Sequence, residues 1–124
     1  MSAPLRDAEL RAVGSFFEGD RERILAVAGP LQDTQRQVVS RVQGTSMGDT
    51  LPADVKVRIQ LSNRRDYRAG DIVAFLVEAR VTVHRVVCRV GRGGCALLTI
   101  GDGRVFPDPP ITPDAVLGTV IGVR

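Results

Sequence analysis

Ile72-Val73-Ala74-Phe75-Leu76-Val77 and, after it, Val81-Thr82-Val83-His84-Arg85-Val86-Val87-Cys88-Arg89-Val90 decide the fold class. The first is an apolar strand. The second is a longer strand rich in valine, with an alternation that separates two faces. One face carries Thr82, His84, Val86, Cys88 and Val90, and the other carries Arg85 and Arg89, whose heads require water. His84 therefore points to the apolar side. Upstream, Val55, Val57 and Ile59 alternate with polar residues as a half-buried strand does, and Val38, Val39 and Val42 form a strand that enters Gly44-Thr45-Ser46. Arg68-Ala69-Gly70-Asp71 is a turn. Downstream, Gly91-Arg92-Gly93-Gly94 turns the chain into Ala96-Leu97-Leu98-Thr99-Ile100. Gly101-Asp102-Gly103 then opens a loop that Pro107, Pro109, Pro110 and Pro113 keep irregular, and Val116 to Val123 is the last strand. Short strands with short connections, and nothing resembling a βαβ unit or a repeat, make the fold mainly β.

The first part of the chain reads differently. Across residues 4 to 28, Leu5, Ala8, Ala12 and Phe16 fall at helical spacing with Val13 and Phe17 beside them. Gly19-Asp20 breaks this stretch, Asp20 caps a second helical piece, and Gly29-Pro30 stops it. Residues 1–36 are thus expected as a helical segment, and residues 37–124 as a β domain that holds the chemistry.

Composition narrows the function. At 124 residues the chain suits one domain with a real core. A net charge of +3, with arginines scattered along the chain and aromatics at only 4%, argues against a nucleic-acid surface. Cys88 and Cys95 have neither CxxC spacing nor histidine company, so no zinc site is expected, and they read as free, mostly buried thiols. No metal or organic cofactor is implied. No apolar run approaches the ~20 residues that span a bilayer, and no signal peptide is visible, so a cytoplasmic location is the expectation. Mixed charge on the N-terminal helical segment disfavours peripheral membrane contact.

Four side chains could carry chemistry. Ser46 follows Gly44, which permits a sharp turn able to present the hydroxyl in an exposed position. A serine needs a base to be nucleophilic, and His84 is the one histidine. Asp102 and Asp108 could orient that imidazole as a third triad member. Taken alone, each also has a structural reading: a turn serine, a core histidine, and a turn aspartate between two glycines.

Taken in order, these pieces resemble the signal peptidases. Gly44-Thr45-Ser46-Met47-Gly48-Asp49-Thr50-Leu51 resembles their nucleophile box, Gly-x-Ser-Met-x-Pro-Thr-Leu. Gly70-Asp71-Ile72-Val73 resembles the strand entry that follows it. Val83-His84-Arg85-Val86-Val87 resembles the base-carrying strand of the histidine-type, archaeal and endoplasmic-reticulum branch. Thr99-Ile100-Gly101-Asp102 with Asp108 is similar to that branch's aspartate loop, and Val116-Leu117-Gly118-Thr119-Val120 to its closing strand. The resemblance spans about residues 37 to 123. It implies a signal-peptidase-type β catalytic domain and a serine endopeptidase that processes a precursor or leader peptide. Ser46 would be the nucleophile, His84 the base, Asp108 the orienting carboxylate and Asp102 a loop organiser. The related Ser-Lys enzymes and self-cleaving repressor domains carry lysine at the position of His84. Lys56, the sole lysine, stands only ten residues after Ser46, so the Ser-Lys reading fails. The substrate is expected as an extended peptide or protein strand added to a sheet edge.

Two departures keep a second reading open. Asp49 stands where the family has proline. Gly44 stands where some members place a serine that donates to the oxyanion, which leaves backbone N–H groups, that of Ser46 included, to do so. On that reading the domain binds peptides or proteins without cutting them. A self-cleaving regulator is disfavoured by the short N-terminal segment, which offers no DNA-binding helix pair.

Overall fold

The computed structural model describes residues 11–13 and 19–123. Its elements are β1 (Arg11–Val13), α1 (Arg21–Asp33), β2 (Gln37–Gln43), β3 (Lys56–Leu61), β4 (Ile72–Val77), β5 (Arg80–Val90), β6 (Ala96–Ile100) and β7 (Val116–Val123). Short 3₁₀ turns occupy Arg92–Gly94 and Pro113–Ala115. The protein is mainly β, and all described strand pairs are antiparallel.

The strands form one sheet in the order β1-β2-β3-β7-β4-β5-β6, and β1 also pairs with β5. That extra pairing brings the sheet round on itself, leaving β6 attached to the outer part of β5. Two apolar clusters lie on its two sides. The larger contains Val42, Met47, Val57, Ile59, Leu61, Ala74, Leu76, Val81, Val83 and Leu117, closed by Ile24 and Ala28 of α1. The smaller gathers Tyr67, Val73, Phe75, Val86, Leu97 and Val116. β4 gives alternate residues to each cluster, Ala74 and Leu76 to one and Val73 and Phe75 to the other. A strand covered on both faces must be apolar throughout, which is why Ile72–Val77 shows no alternation. β3 faces a cluster on one side only, and its exposure alternates from Lys56 to Ile59.

The N-terminal expectation needs correction. Residues 11–13 are a strand, not helix, and pair through Arg11↔Gln43, Ala12↔Val42 and Val13↔Arg41. The remainder of the expected first helical piece lies outside the described residues. The second piece is helical and capped as read: the Asp20 side chain accepts from the Arg23 N–H at 2.8 Å. It does not stop at Gly29-Pro30 but runs to Asp33 with Pro30 inside it. The half-buried Leu31 packs against the core cluster one turn beyond Ala28, and Gln32 reaches the Ser62 carbonyl at 3.1 Å. These contacts favour one more turn over the missing proline N–H. The end is then closed by Gln35 at φ +52 and by the Arg36 N–H on the Leu31 carbonyl at 2.9 Å.

Cys88 and Cys95 are free, but both are exposed rather than buried. The β5–β6 register shifts between Val86 and Cys88, so Val87 is an extra residue and the alternation counted from His84 is lost. Beyond Arg85 the β5 strand has also passed the end of β4.

Candidate active site

Ser46 lies three residues beyond β2, in a turn set by Gly44 at φ +98 and Gly48 at φ +57, both in the left-handed region that glycine tolerates. The Gly48 N–H donates to the Thr45 carbonyl at 2.9 Å. Met47, fully buried, anchors this turn in the core. The turn does not present an exposed hydroxyl: Ser46 is only 2% exposed. The 101–108 loop packs against it, with the Gly103 N–H on the Ser46 carbonyl at 2.7 Å.

His84 is fully buried on β5, opposite Val73 of β4, with the Phe75 ring set edge-on 6.1 Å away. Its Nε2 lies 2.9 Å from Ser46 Oγ, and its Nδ1 lies 2.6 Å from Asp108 Oδ2. Asp108 is held from two sides. Its own N–H donates to the Thr99 carbonyl at 2.8 Å, and Thr99 Oγ1 donates back to Oδ2 at 2.6 Å. Burial works to raise the carboxyl pKa, but the bonds from His84 and Thr99, with the charges of His84 and Arg104, hold it below its usual range. An ionised Asp108 can only accept, so Nδ1 carries the proton. Nε2, on the other side of the ring, faces Ser46 Oγ.

Asp102 does not touch the imidazole. Arg85 Nε and NH2 reach its two oxygens at 2.8 Å each, and Thr50 Oγ1 donates to it at 2.6 Å. These bonds, the one from Arg85 foremost, keep its carboxyl below the usual range against a smaller opposing effect of burial. Arg85 also donates to the Gly70 carbonyl at 3.0 Å. Asp102 thus ties its loop to the turn after Ser46 and, through Arg85, to the turn before β4.

Of the four residues singled out from sequence, three form one hydrogen-bonded line and Asp102 stands beside it. Lys56 is exposed at the start of β3, opposite Arg41. Thr99 escaped the sequence reading, because its grip on Asp108 depends on how the loop folds back over β6. By sequence Gly101 is only a loop residue. A Cβ there would stand 2.4 Å from the Ser46 carbonyl oxygen and 3.0 Å from His84 Nε2. Gly101→Ala should therefore separate serine from histidine and lower stability by about 1–3 kcal/mol, the usual cost of overpacking. Gly103→Ala, whose nearest contacts are at 3.1 Å, should do less. Melting curves and serine-probe labelling of the two variants check this; an active, fully stable Gly101→Ala would refute the close approach.

A cavity of about 530 Å³ adjoins the Asp108 end of this line, lined among others by Phe75, Val77, Arg80, Thr82 and Ile111. Among the described residues no three His, Cys, Asp or Glu side chains cluster as metal ligands would. No described helix is long and apolar enough to cross a membrane. No protein-family model matches the chain, and neither a curated protein nor a solved structure does.

Proposed function

We propose that the protein is a serine endopeptidase of signal-peptidase-like type that hydrolyses a peptide bond by acyl transfer. The observation that carries this reading is the continuous line Ser46 Oγ, His84 Nε2, His84 Nδ1, Asp108 Oδ2, with contacts of 2.9 and 2.6 Å. A turn serine or a core histidine would account for either residue alone, but not for an imidazole set between a serine hydroxyl and a carboxylate. In the reaction Ser46 Oγ attacks the substrate carbonyl while its proton passes to His84 Nε2. The imidazolium is stabilised by Asp108 and returns the proton to the leaving amine. Water then repeats the sequence on the acyl-enzyme and releases the acid. The order of the motifs from Gly44 to Val120 supports the family assignment, and a closed antiparallel sheet is compatible with it. The substrate is an extended stretch of a precursor or leader peptide.

A second reading, a degenerate domain that binds peptides without cutting them, is favoured by the burial of Ser46 at 2% exposure. A fluorophosphonate probe separates the two. It needs an activated serine, so the intact chain should acquire one phosphonyl group, located at Ser46 by peptide mass mapping. A chain that stays unlabelled on prolonged incubation would be the degenerate domain.

A further inference from the structure

The buried nucleophile raises the question of where a substrate strand would lie. A strand that paired with both the strand leading into Ser46 and the strand carrying His84 would run between β2 and β5. That position is filled by the chain itself. β1 pairs with β2 through three residues and with β5 through Arg11↔Thr82. Arg11 thus lies opposite Gln43, three residues before Ser46, and opposite Thr82, two residues before His84. The dyad beside this position is buried, Ser46 at 2% exposure and His84 fully, and the 101–108 loop lies against Ser46.

We propose that the slot between β2 and β5 is a peptide-binding site that accepts an extended strand antiparallel to β2, and that residues 11–13 occupy it in cis as a built-in competitor. The inference rests on the endopeptidase reading for its consequence, but the slot itself rests on strand pairing alone. β1 suits a removable occupant. It has three residues, against seven in β2 and eleven in β5, and so forms few ladder bonds to hold it in place. The ladder recognises backbone, so a second peptide of suitable sequence can take the same bonds once β1 leaves. Release of β1 by a competing peptide or by a partner that holds the N-terminal residues would switch the enzyme on.

Ala12→Pro tests this in the full chain, since proline removes a ladder N–H and is not accommodated between two strands. In a Ser46→Ala background, which prevents cleavage, a fluorescent peptide of the sequence Ala8–Ser15 should bind the Ala12→Pro protein at least ~10-fold more tightly than the unsubstituted one, whose slot is filled. With Ser46 restored, fluorophosphonate labelling should accelerate by a similar factor. Hydrogen exchange on the unsubstituted chain supplies a reading that depends on no variant: the amides of residues 11–13 should exchange faster than those of β2 and β3. Equal peptide binding by the two proteins, or β1 amides as slow as those of β2, would overturn the proposal. Tighter peptide binding with no labelling of either protein would uphold the slot and overturn the nucleophile instead.

Discussion

Alanine at Ser46 and alanine at His84 should each remove nearly all turnover of a peptide substrate, and the double variant should be no slower than the worse single one. In the proposed mechanism the two side chains act in one event, because the proton would leave Ser46 Oγ only as His84 Nε2, 2.9 Å away, receives it. Residues that work as a unit lose their effect together rather than additively. A positioned general base alone is worth ~10²–10⁴, and loss of the nucleophile closes the acyl-enzyme route, so a fall of at least ~10³ is expected for each. The stability consequences differ from those of an ordinary turn. Ser46→Ala removes a buried hydrogen bond to His84 Nε2, which costs about 0.5–1.5 kcal/mol. The loss of rate must therefore be read at a temperature where melting curves show the variant folded. Lys56→Ala is the control: its side chain is exposed on β3, and its rate and melting temperature should be unchanged. Two losses that multiply in the double variant, or a rate that falls with Lys56, would mean that a different base serves Ser46.

The strands from β2 to β7 are legible in the sequence because each is long enough to show its packing. Val57 and Ile59 alternate with Arg58 and Gln60 since one face is covered, and Ile72–Val77 is apolar throughout since both are. What is not legible depends on distant partners. Arg11-Ala12-Val13 sits among residues at helical spacing, and three residues carry no period of their own. Its strand state comes from β2 and β5 flanking it. Gly29-Pro30 reads as a stop by local propensity, yet Leu31 and Gln32 find tertiary contacts that extend the helix. The bulge at Val87 moves Cys88 to the surface, and no residue of β5 announces it. In the site, Ser46 and His84 stand out by type and by motif. The contact with Ser46 and the hold of Thr99 on Asp108 arise from a loop folding back across the sheet, which composition does not encode.

The two aspartates should fail in different ways when each is changed to asparagine. Asp108 accepts from His84 Nδ1 at 2.6 Å, and an ionised carboxylate there selects the tautomer whose Nε2 can take a proton. An amide can instead donate to Nδ1, which places the proton on Nε2 and turns it away from the Ser46 hydroxyl. In chymotrypsin the corresponding change lowers turnover by ~10⁴ for this reason. Asp108→Asn should slow turnover by at least ~10², with a modest fall in melting temperature at neutral pH, because Oδ2 takes the bonds from both His84 and Thr99 and an amide cannot keep both. Asp102 contacts Arg85 and Thr50 rather than His84, so Asp102→Asn should weaken the bidentate pair and loosen the loop over Ser46. Side chains at this partial exposure, 34% for Arg85 and 20% for Asp102, give a modest bond, about 1 kcal/mol. For a domain of this size that is a fall in melting temperature of about 3–5 °C. Acid separates the roles further. Both carboxyls have folded pKa values below the unfolded one of ~3.9, so their stabilisation is complete above that pH and disappears as pH falls through the folded values. The parent's melting temperature should therefore drop steeply below pH ~4, and either asparagine variant should show a shallower drop, having no such proton to bind. Melting temperature against pH, measured beside turnover for both variants, decides the assignment. An Asp108→Asn protein that keeps full turnover while losing stability would give the orienting role to another group and leave Asp108 as a loop anchor.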